Sequence, residues 1–392
     1  MFRDEVDMKS YTLKDACYIT TGKLDANQSI KNGIYPFFTC AEFPDAINTY
    51  AFDCDAVLVA GNNARGNFHV NRYKGKFNAY QRTYVLTSKE NFDIDFIFYS
   101  LKLELKRLKE KSQGSQTKFL TLPILQNIHF SSILINEQKS IAAVLSALDK
   151  KIALNKQINA RLEEMAKTLY DYWFVQFDFP DANGKPYKSS GGEMVFDETL
   201  KREIPKGWAV KSLNQVADIV MGQSPDGASY NLEQEGTIFF QGSTDFDWRF
   251  PNVRQYTTSP TRFAQKGDIL LSVRAPVGDL NISPFECCIG RGLAALRSKS
   301  GNNSFLFYVM KYFKTVFERR NTEGTTFGSI TKDDLHSLKL VAPADNVLEK
   351  YNEIASKYDE MIFIRSQQNH QLTQLRDFLL PMLMNGQVSV AE

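Results

Sequence analysis

The sequence predicts a mixed α/β (α+β) fold, with two globules of similar plan, each followed by a long helix. The two helices are predicted to pack as an antiparallel coiled coil. Two observations predict this fold. A helix-forming stretch in the middle of the chain carries a heptad seam, and a stretch near the C-terminus repeats it at an offset of 210 residues. The segments that precede the two helices also share short motifs in the same order.

The first long helix is predicted between residues 138 and 178, a range without Gly or Pro. Asn155 and Asn159 occupy the middle of its seam, which therefore has a polar centre. From Ser140 to Tyr170 the helix would be about 46 Å long, and such a long apolar stripe requires a partner. The apolar positions of the seam are Ile141, Leu145, Leu148, Ile152, Leu162, Ala166 and Leu169.

The second long helix is predicted between residues 346 and 385. Two unrelated amphipathic helices are the alternative, but identities at one constant offset argue against that alternative. Two helices separated by a globular insert pack most simply in antiparallel orientation. Asn155, Asn159, Arg365 and Asn369 are predicted to set the helix register. The identities are Asp149/Asp359, Ile152/Ile362, Gln157/Gln367, Asn159/Asn369, Leu162/Leu372 and Leu169/Leu379.

The globules are predicted from motifs that match between the two halves. The segment DAVLVAGN at Asp55 matches GDILLSVR at Gly267, and FIFYSLK at Phe96 matches FLFYVMK at Phe305. Both early segments are short apolar strands that end at a polar turn. The predicted domains are the first globule 1–137, the first helix 138–178, a linker 179–208, the second globule 209–345 and the second helix 346–385.

Composition excludes several classes of protein. The N-terminus has no apolar signal segment, and no apolar run approaches membrane-spanning length, so we expect a cytoplasmic protein without membrane contact. The five cysteines form no CxxC pair and the four histidines are scattered, so no metal site is expected. A net charge of +2 gives only weak support for nucleic-acid binding.

Motifs at the joint and in the second half resemble the specificity subunit of Type I restriction-modification enzymes. They are YDYWFVQFDFP at Tyr170, GGEMVFDETLKREIPKGW ending at Trp208, RAPVGDL at Arg274, IGRGLAAL at Ile289 and GSITKDDL at Gly328. The resemblance covers nearly the whole chain, in the family's order of target-recognition domain, helix, target-recognition domain, helix.

The resemblance implies a subunit that reads a bipartite double-stranded DNA site, one half per target-recognition domain, with the helix pair as a ruler between them. Two methyltransferase subunits would bind it, carry S-adenosylmethionine and methylate adenine. Two restriction motor-nuclease subunits that use ATP with Mg²⁺ would join them. The chain itself would hold no cofactor and no catalytic residue. The aromatic cluster after the first helix is expected to be either core or a protein interface, and Trp173 and Phe174 are the first candidates for contacts with the methyltransferase subunits.

The sequence gives little support to an enzyme. It has no NPPY or DPPY tetrapeptide, no GxGxxG after a strand and no GxxxxGK[ST]. Asp95, Glu104 and Lys106 faintly resemble the D…ExK spacing of metal-dependent nucleases. The second copy has Phe313 and Thr315 where the first has Glu104 and Lys106, so a charged helix surface is the preferred interpretation.

The candidates for DNA contact are long polar side chains at strand ends and Gly-rich turns. Arg suits guanine, and Asn or Gln suits adenine. In the first half they are Asn62, Asn63, Arg65, Arg72, Lys74, Lys76, Gln81 and Arg82, with Gln113, Gln116 and Lys118 as phosphate contacts. In the second half they are Gln223, Ser224, Gln241, Ser243, Arg274, Arg291, Thr325 and Thr326, with Arg319 and Arg320 near the DNA backbone.

Two other functions remain open at this stage. One is a self-contained DNA-modifying enzyme, which a methylation assay on the purified chain alone would reveal. The other is a scaffold whose globules bind proteins and whose helices space them. A steep fall of DNA affinity with salt distinguishes a DNA reader from such a scaffold.

Overall fold

The structure is a computed structural model that describes residues 10–63, 66–111, 119–131, 133–322 and 329–390. Contacts between residues divide the chain into two units. Unit 1 comprises Met1–Asn155 and Gln367–Glu392, and unit 2 comprises Lys156–Ser366. Each of the two long helices therefore contributes one segment to each unit.

The helices follow the predicted duplication, because each one in the first half has a counterpart in the second. They are α1 (Leu13–Ala16), α2 (Ile94–Lys111), α3 (Leu122–Gln126), α4 (Ile135–Tyr170), α5 (Leu213–Val216), α6 (Asn303–Thr322), α7 (Lys332–Ser337) and α8 (Asp345–Met384). A π-helical turn, Asp171–Val175, follows α4. The short helices α1 and α5 both begin with a capping box, formed by Thr12 with Asp15 and by Ser212 with Gln215.

The strands also fall into two series joined by a hairpin. The first series is β1 (Ser10–Thr12), β2 (Cys17–Thr21), β3 (Tyr35–Phe38), β4 (Asp45–Ile47), β5 (Phe52–Ala60), β6 (Val70–Ala79), β7 (Thr83–Ser88) and β8 (His129–Ser131). The hairpin is β9 (Met194–Asp197) and β10 (Arg202–Pro205). The second series is β11 (Ala209–Ser212), β12 (Ala217–Met221), β13 (Tyr230–Asn231), β14 (Thr237–Phe240), β15 (Tyr256–Thr257), β16 (Phe263–Ala264), β17 (Ile269–Ser272), β18 (Leu280–Ile282), β19 (Cys287–Ile289), β20 (Leu293–Ser298) and β21 (Lys339–Ala342).

The main sheet of unit 1 corresponds to two separate sheets in unit 2. In unit 1 the order is β2-β7-β5-β6-β3-β4, and β6 runs unbroken from β5 to a parallel pairing with β3. In unit 2 the corresponding segment is split into β18 and β19, which belong to the separate sheets β12-β20-β17-β18 and β13-β15-β14-β19-β16. Pro284 lies between them and has no N–H group to continue the ladder.

A close backbone approach occurs at the same place in each unit. A Cβ atom on Gly22 would lie 1.9 Å from the carbonyl oxygen of Ala79, and one on Gly222 would lie 2.2 Å from that of Gly290. Only glycine fits at either position. These contacts bring the end of β2 and the end of β12 next to the turns that follow β6 and β19.

The two long helices pair in antiparallel orientation within each unit, as predicted. In unit 1, Asn155 Nδ2 donates to Asn369 Oδ1 at 3.0 Å, while Arg376 Nη1 lies 2.7 Å from Asp149 Oδ1. From the first pair to the second, α4 moves six residues towards its N-terminus and α8 moves seven residues towards its C-terminus, so the helices are antiparallel. In unit 2, Asn159 Nδ2 donates to Ser366 Oγ at 3.1 Å.

The polar centre of the seam involves three of the four predicted residues. Asn155 and Asn159 are buried, and Asn369 Nδ2 donates to the carbonyl oxygen of Ile152 at 3.3 Å. Arg365 instead donates to the carbonyl oxygen of Met361 in its own helix at 3.1 Å. Within the described contacts, Arg365 therefore makes no bond to α4.

The prediction that Trp173 and Phe174 form a surface for partner subunits is wrong. Their exposed fractions are 5% and 7%, and both belong to the core of unit 2. The Trp173 ring lies 5.9 Å from that of Tyr351, and the Phe174 ring lies 4.8 Å from that of Phe305. The apolar character of these rings reflects packing, because the π-helical turn directs them into the core.

Candidate nucleic-acid interface

In unit 1, polar side chains converge where two turns of the sheet meet. These polar turns of unit 1 are residues 61–63, after β5, and residues 80–82, before β7. The amide nitrogen of Gly61 donates to the carbonyl oxygen of Arg82 at 2.8 Å, and that of Gln81 donates to Leu24 at 2.9 Å. Both turns therefore lie at one edge, with Gln81 and Arg82 exposed and Asn62 and Asn63 half-buried.

The segment before α3 joins the same edge. Phe119 forms an isolated β-bridge with Asn62, and the amide nitrogen of Leu120 donates to the carbonyl oxygen of Gly61 at 2.9 Å. The guanidinium carbon of Arg82 lies 6.0 Å from the centroid of the Phe119 ring. An exposed aromatic ring beside an exposed arginine offers both stacking and hydrogen bonding to a base. Our sequence reasoning missed Phe119, although an aromatic residue in the polar segment GSQTKFL was a usable signal.

Unit 2 repeats this edge with different side chains. The polar turns of unit 2 are residues 222–224, 241–243 and 290–292. The amide nitrogen of Gln223 donates to the carbonyl oxygen of Ile289 at 3.0 Å, and that of Arg291 donates to Ser224 Oγ at 3.3 Å. A Cβ atom on Gly290 would lie 3.1 Å from the Cα atom of Gln241, so these turns are in direct contact.

Arg274 and Ser243 lie next to these turns. The amide nitrogen of Val273 donates to the carbonyl oxygen of Gly292 at 2.9 Å, and Arg274 bridges to Ser329. Ser243 begins the short 3₁₀ turn Ser243–Asp245 that follows β14 and Gln241. The structure thus brings together the predicted residues Gln223, Ser224, Gln241, Ser243, Arg274 and Arg291.

Two exposed residues of the same edge were missed in unit 2. Thr261 Oγ1 donates to the carbonyl oxygen of Gln223 at 2.5 Å, and the carbonyl oxygen of Arg262 accepts from the amide nitrogen of Ile289 at 2.9 Å. They lie in the loop TSPTRF, between β15 and β16. A Ser/Thr/Pro turn with one arginine was a weak signal, because nothing in the sequence links it to Gln223.

Arg72 does not join the polar turns. Its Nε atom lies 2.6 Å from Asp95 Oδ1, and its Nη1 atom pairs with Asp55. Burial lowers the pKa of Arg72, but hydrogen bonds and charge from Asp55 and Asp95 outweigh burial and raise it overall. The prediction that Arg72 is available to DNA is therefore wrong, because both ends of its guanidinium are occupied by carboxylates.

Lys74 and Lys76 lie along β6 rather than in the turns. They stand opposite Asp55 and Asp53 in the β5–β6 ladder, and Lys76 Nζ lies 4.7 Å from the centroid of the Tyr50 ring. Hydrogen bonding and charge of the Tyr50 hydroxyl, with the charge effect largest, raise the pKa of Lys76. The two lysines therefore lie on the strand and not in the polar turns.

Several predicted residues fall outside the described part of the chain. Arg319 and Arg320 lie near the C-terminal end of α6, and their side chains are not described. The others lie wholly outside it, and they are Arg65, Gln113, Gln116, Lys118, Thr325 and Thr326.

Two of the three charged residues considered for catalysis, Asp95 and Glu104, are engaged in ion pairs. Asp95 binds Arg72, and Glu104 binds Arg107 one turn further along α2. Among the described residues, no three His, Cys, Asp or Glu side chains are grouped so as to hold a metal ion. Within the same residues, no helix is long and apolar enough to cross a membrane.

Comparison with known proteins identifies the family. A family model described as "Type I restriction modification DNA specificity domain" matches residues 5–164 and 205–374, once in each copy. Two such matches define a protein with two target-recognition domains. The chain belongs to the family of Type I restriction-modification specificity subunits, and its role is that of the specificity subunit.

Individual relatives agree with this assignment. The chain is 36% identical over 327 residues to the putative type I restriction enzyme MjaX specificity subunit of Methanocaldococcus jannaschii, covering 81% of this chain and 70% of that protein. It is 28% identical over 378 residues to the type I restriction enzyme EcoDI specificity subunit of Escherichia coli, covering 91% and 81%. The crystal structure of the S subunit from M. genitalium shares the fold, with a TM-score of 0.65, 15% identity and 98% of both chains covered.

We predict that arginines in the polar turns affect DNA binding, whereas Arg72, outside the turns, affects stability. Arg82→Ala and Arg291→Ala should each weaken binding to the recognised DNA duplex by about 5- to 150-fold, the loss of one base contact. Because both side chains are exposed, Tm should not fall. Arg72→Ala should instead lower Tm, because it removes the guanidinium that pairs with both Asp95 and Asp55 and leaves only Lys74 near Asp55. Fluorescence anisotropy and differential scanning fluorimetry measure the two effects, and the reverse pattern would contradict the assignment.

Proposed function

We propose that this chain is itself non-catalytic and reads a bipartite DNA site, so that partner subunits methylate adenine and cleave DNA in response. The observation that carries the proposal is the repetition of one exposed edge in both units. The backbone hydrogen bond from Gly61 to Arg82 in unit 1 corresponds to the one from Val273 to Gly292 in unit 2, with N–O distances of 2.8 and 2.9 Å. The same scaffold therefore presents two different sets of side chains, as two different half-sites require.

The side chains at this edge suit base recognition. Gln81 of unit 1 and Arg291 of unit 2 occupy equivalent positions at an offset of 210 residues. A glutamine matches the hydrogen-bonding edge of adenine, and an arginine matches that of guanine. Asn62, Asn63 and Arg82 complete the first set, and Gln223, Ser224, Gln241, Ser243 and Arg274 complete the second. The lysines along β6 are assigned to phosphate contacts, which position without specifying sequence.

The long helices would set the gap between the two half-sites. With 36 and 40 residues, α4 and α8 are about 54 and 60 Å long, more than the roughly 34 Å of one turn of B-DNA. Asn155, Asn159 and Asn369 would fix how the helices register. A buried amide that finds its partner in only one alignment excludes others at some cost in stability.

The helix surfaces support two copies of one partner. Leu154 and Ile364 are equivalent residues with exposed fractions of 49% and 47%, and the equivalent pair Met165 and Leu375 has 51% and 46%. Exposed apolar residues repeated at matching positions suit a partner that binds twice. We assign this surface to two methyltransferase subunits, in place of Trp173 and Phe174.

The remaining roles follow from the family resemblance. The methyltransferase subunits would carry S-adenosylmethionine, and two motor-nuclease subunits would use ATP with Mg²⁺. The chain itself would bind none of these cofactors. The assembly would act on double-stranded DNA in the cytoplasm.

Methylome sequencing tests the proposal directly. A host without its own modification should receive this chain together with its neighbouring methyltransferase. We expect one bipartite motif with methyladenine in both halves and a constant gap. Exchange of residues 209–341 for those of a relative should change one half only. A well-expressed complex that methylates nothing would contradict DNA reading, and methyl transfer by the purified chain alone would contradict the non-catalytic role.

The polar centre of the helix pair gives a second prediction. The double substitution Asn159→Leu, Asn369→Leu should lower the free energy of unfolding by about 1–3 kcal/mol, because Ser366 loses its amide partner while Asn155 keeps its bond to Gln368. The methylated motif should then show an altered or a variable gap. Gln157→Leu, an exposed change on the same helix, is the control. An unchanged gap in the double variant would exclude a register role.

The exposed apolar residues repeated on the two long helices give a third prediction. Leu154→Asp and Ile364→Asp should each remove one methyltransferase copy from the complex, with at least about tenfold weaker binding at the altered site. The double variant should bind neither copy. Native mass spectrometry counts the copies, and Ala153→Asp, at an exposed neighbouring position, controls for the added charge. Two bound copies in the double variant would rule out this surface.

A further inference from the structure

The loop of residues 246–252 in unit 2 carries an arginine into the interior. The Arg249 side chain is 1% exposed. The loop backbone is held on both sides of it, because Asn281 Nδ2 donates to the carbonyl oxygen of Asp247 at 2.8 Å and the amide nitrogen of Ile282 donates to that of Arg249 at 2.9 Å. The position of Arg249 relative to β18 is therefore determined by the globule itself.

The guanidinium of Arg249 lies against three helices. Its Nη2 atom pairs with Asp359 of α8, and its Nη1 atom lies 3.8 Å from Glu163 Oε1 of α4. Its central carbon lies 3.9 Å from the centroid of the Phe307 ring of α6. One loop side chain thus joins the globule to both long helices.

A second residue of the loop extends this contact along α8. The Phe250 ring lies 5.5 Å from the Phe363 ring, with the planes at 73°. Residues 359 and 363 are one helical turn apart and face the same side of α8. The loop therefore contacts α8 through an ion pair and an aromatic pair on successive turns.

The two carboxylates depend on this arginine. Asp359 Oδ2 also accepts from Ser304 Oγ at 2.5 Å, and Glu163 also pairs with Lys311. Burial lowers the pKa of Lys311 to about 8. Loss of Arg249 would leave Asp359 half-buried with a neutral hydroxyl as its described donor, and an unpaired buried carboxylate is strongly unfavourable.

Unit 1 satisfies the equivalent carboxylate in another way. Asp149 is the counterpart of Asp359, and it accepts from Arg376 Nη1 at 2.7 Å and from the Tyr99 hydroxyl at 2.8 Å. Arg376 belongs to α8, so this arginine comes from the helix pair and not from the globule. The counterpart of Arg376 on α4 is Ala166, which is buried. Unit 2 therefore has no arginine at that helix position.

We propose that Arg249 is a positioning residue that locks the second target-recognition domain onto the helix pair, acting through Asp359 and Glu163. Its role is to hold the second half-site reader in one register with the spacer helices. Among the described contacts of the first domain, the equivalent Asp149 is held by Arg376 of α8 and not by a loop arginine. A second target-recognition domain taken from a relative therefore needs a cation at the position of Arg249 in its loop. A first domain taken from a relative does not. The proposal rests on the proposed bipartite reading of DNA.

The test measures gap discrimination by the intact complex with its methyltransferase subunits. Methylation rates are compared on duplexes that carry the wild-type gap and gaps one base pair shorter or longer. Arg249→Met should reduce the ratio of the rate on the wild-type gap to the rate on the altered gaps by about tenfold or more. This is the effect expected when the second target-recognition domain is displaced by about 1 Å. The base preference within the first half-site should not change. Arg249→Lys should recover part of the ratio, because lysine keeps the charge without the planar fork.

Arg297→Met is the matched control. Arg297 pairs with buried Asp268 within the same globule, with Nε–Oδ1 and Nη2–Oδ2 distances of 2.6 and 2.8 Å. The variant also leaves a buried aspartate without its cation, so it reports the effect of instability alone. It should lower Tm and leave the gap discrimination at the wild-type ratio.

A second variant covers the case in which Arg249→Met does not fold. Phe250→Leu keeps the ion cluster and loses the ring contact with Phe363, and it should lower the discrimination ratio by about threefold. A folded complex of either variant with the wild-type ratio overturns the proposal. If the wild-type complex shows no bipartite methylation, the proposed function fails as well. If the wild-type complex methylates a bipartite site and the variants keep its discrimination ratio, only the proposed role of Arg249 is refuted.

Discussion

The seam between α4 and α8 is the contact on which both units depend. Each unit contains one segment of each helix, so neither is complete without residues from two distant parts of the chain. In unit 1, Leu383 and Met384 of α8 pack with Phe96 and Ile141. In unit 2, Trp173 and Phe174, after α4, pack with Phe305 and Tyr351, which are the equivalent positions. The same apolar constraint is therefore met twice with different side chains.

The sequence allowed the duplicated fold to be predicted because its signals are local or strictly repeated. The heptad spacing defines the buried stripe of each helix, and the constant offset pairs the copies. Pro284 could also have predicted the interruption between β18 and β19, but only if this segment was already known to correspond to the continuous strand β6. The coiled coil and the two globules of similar plan are confirmed by the structure and by the family match.

The candidate site was predictable only in part, because exposure and pairing depend on distant residues. Arg72 and Arg82 look alike in the sequence, yet Arg72 meets Asp55 and Asp95, while Arg82 stays exposed beside Phe119. Trp173 and Phe174 were misjudged for the same reason, since an aromatic cluster does not reveal which side faces the core. Arg249 was overlooked because its partners lie 86 residues before it and 110 residues after it in the chain.

The division of the chain also has a consequence for the order in which the protein is made. Unit 2 is one continuous segment, Lys156–Ser366, so every residue of its core has been synthesised before Gln367 is added. Unit 1 needs Gln367–Met384 to cover the first part of α4, and that segment is synthesised only after the whole of unit 2. Unit 1 therefore cannot complete its core until unit 2 has been translated, and its part of the α4 seam lacks the matching segment of α8 until then. During that interval the first part of α4 has no helical partner for its apolar stripe.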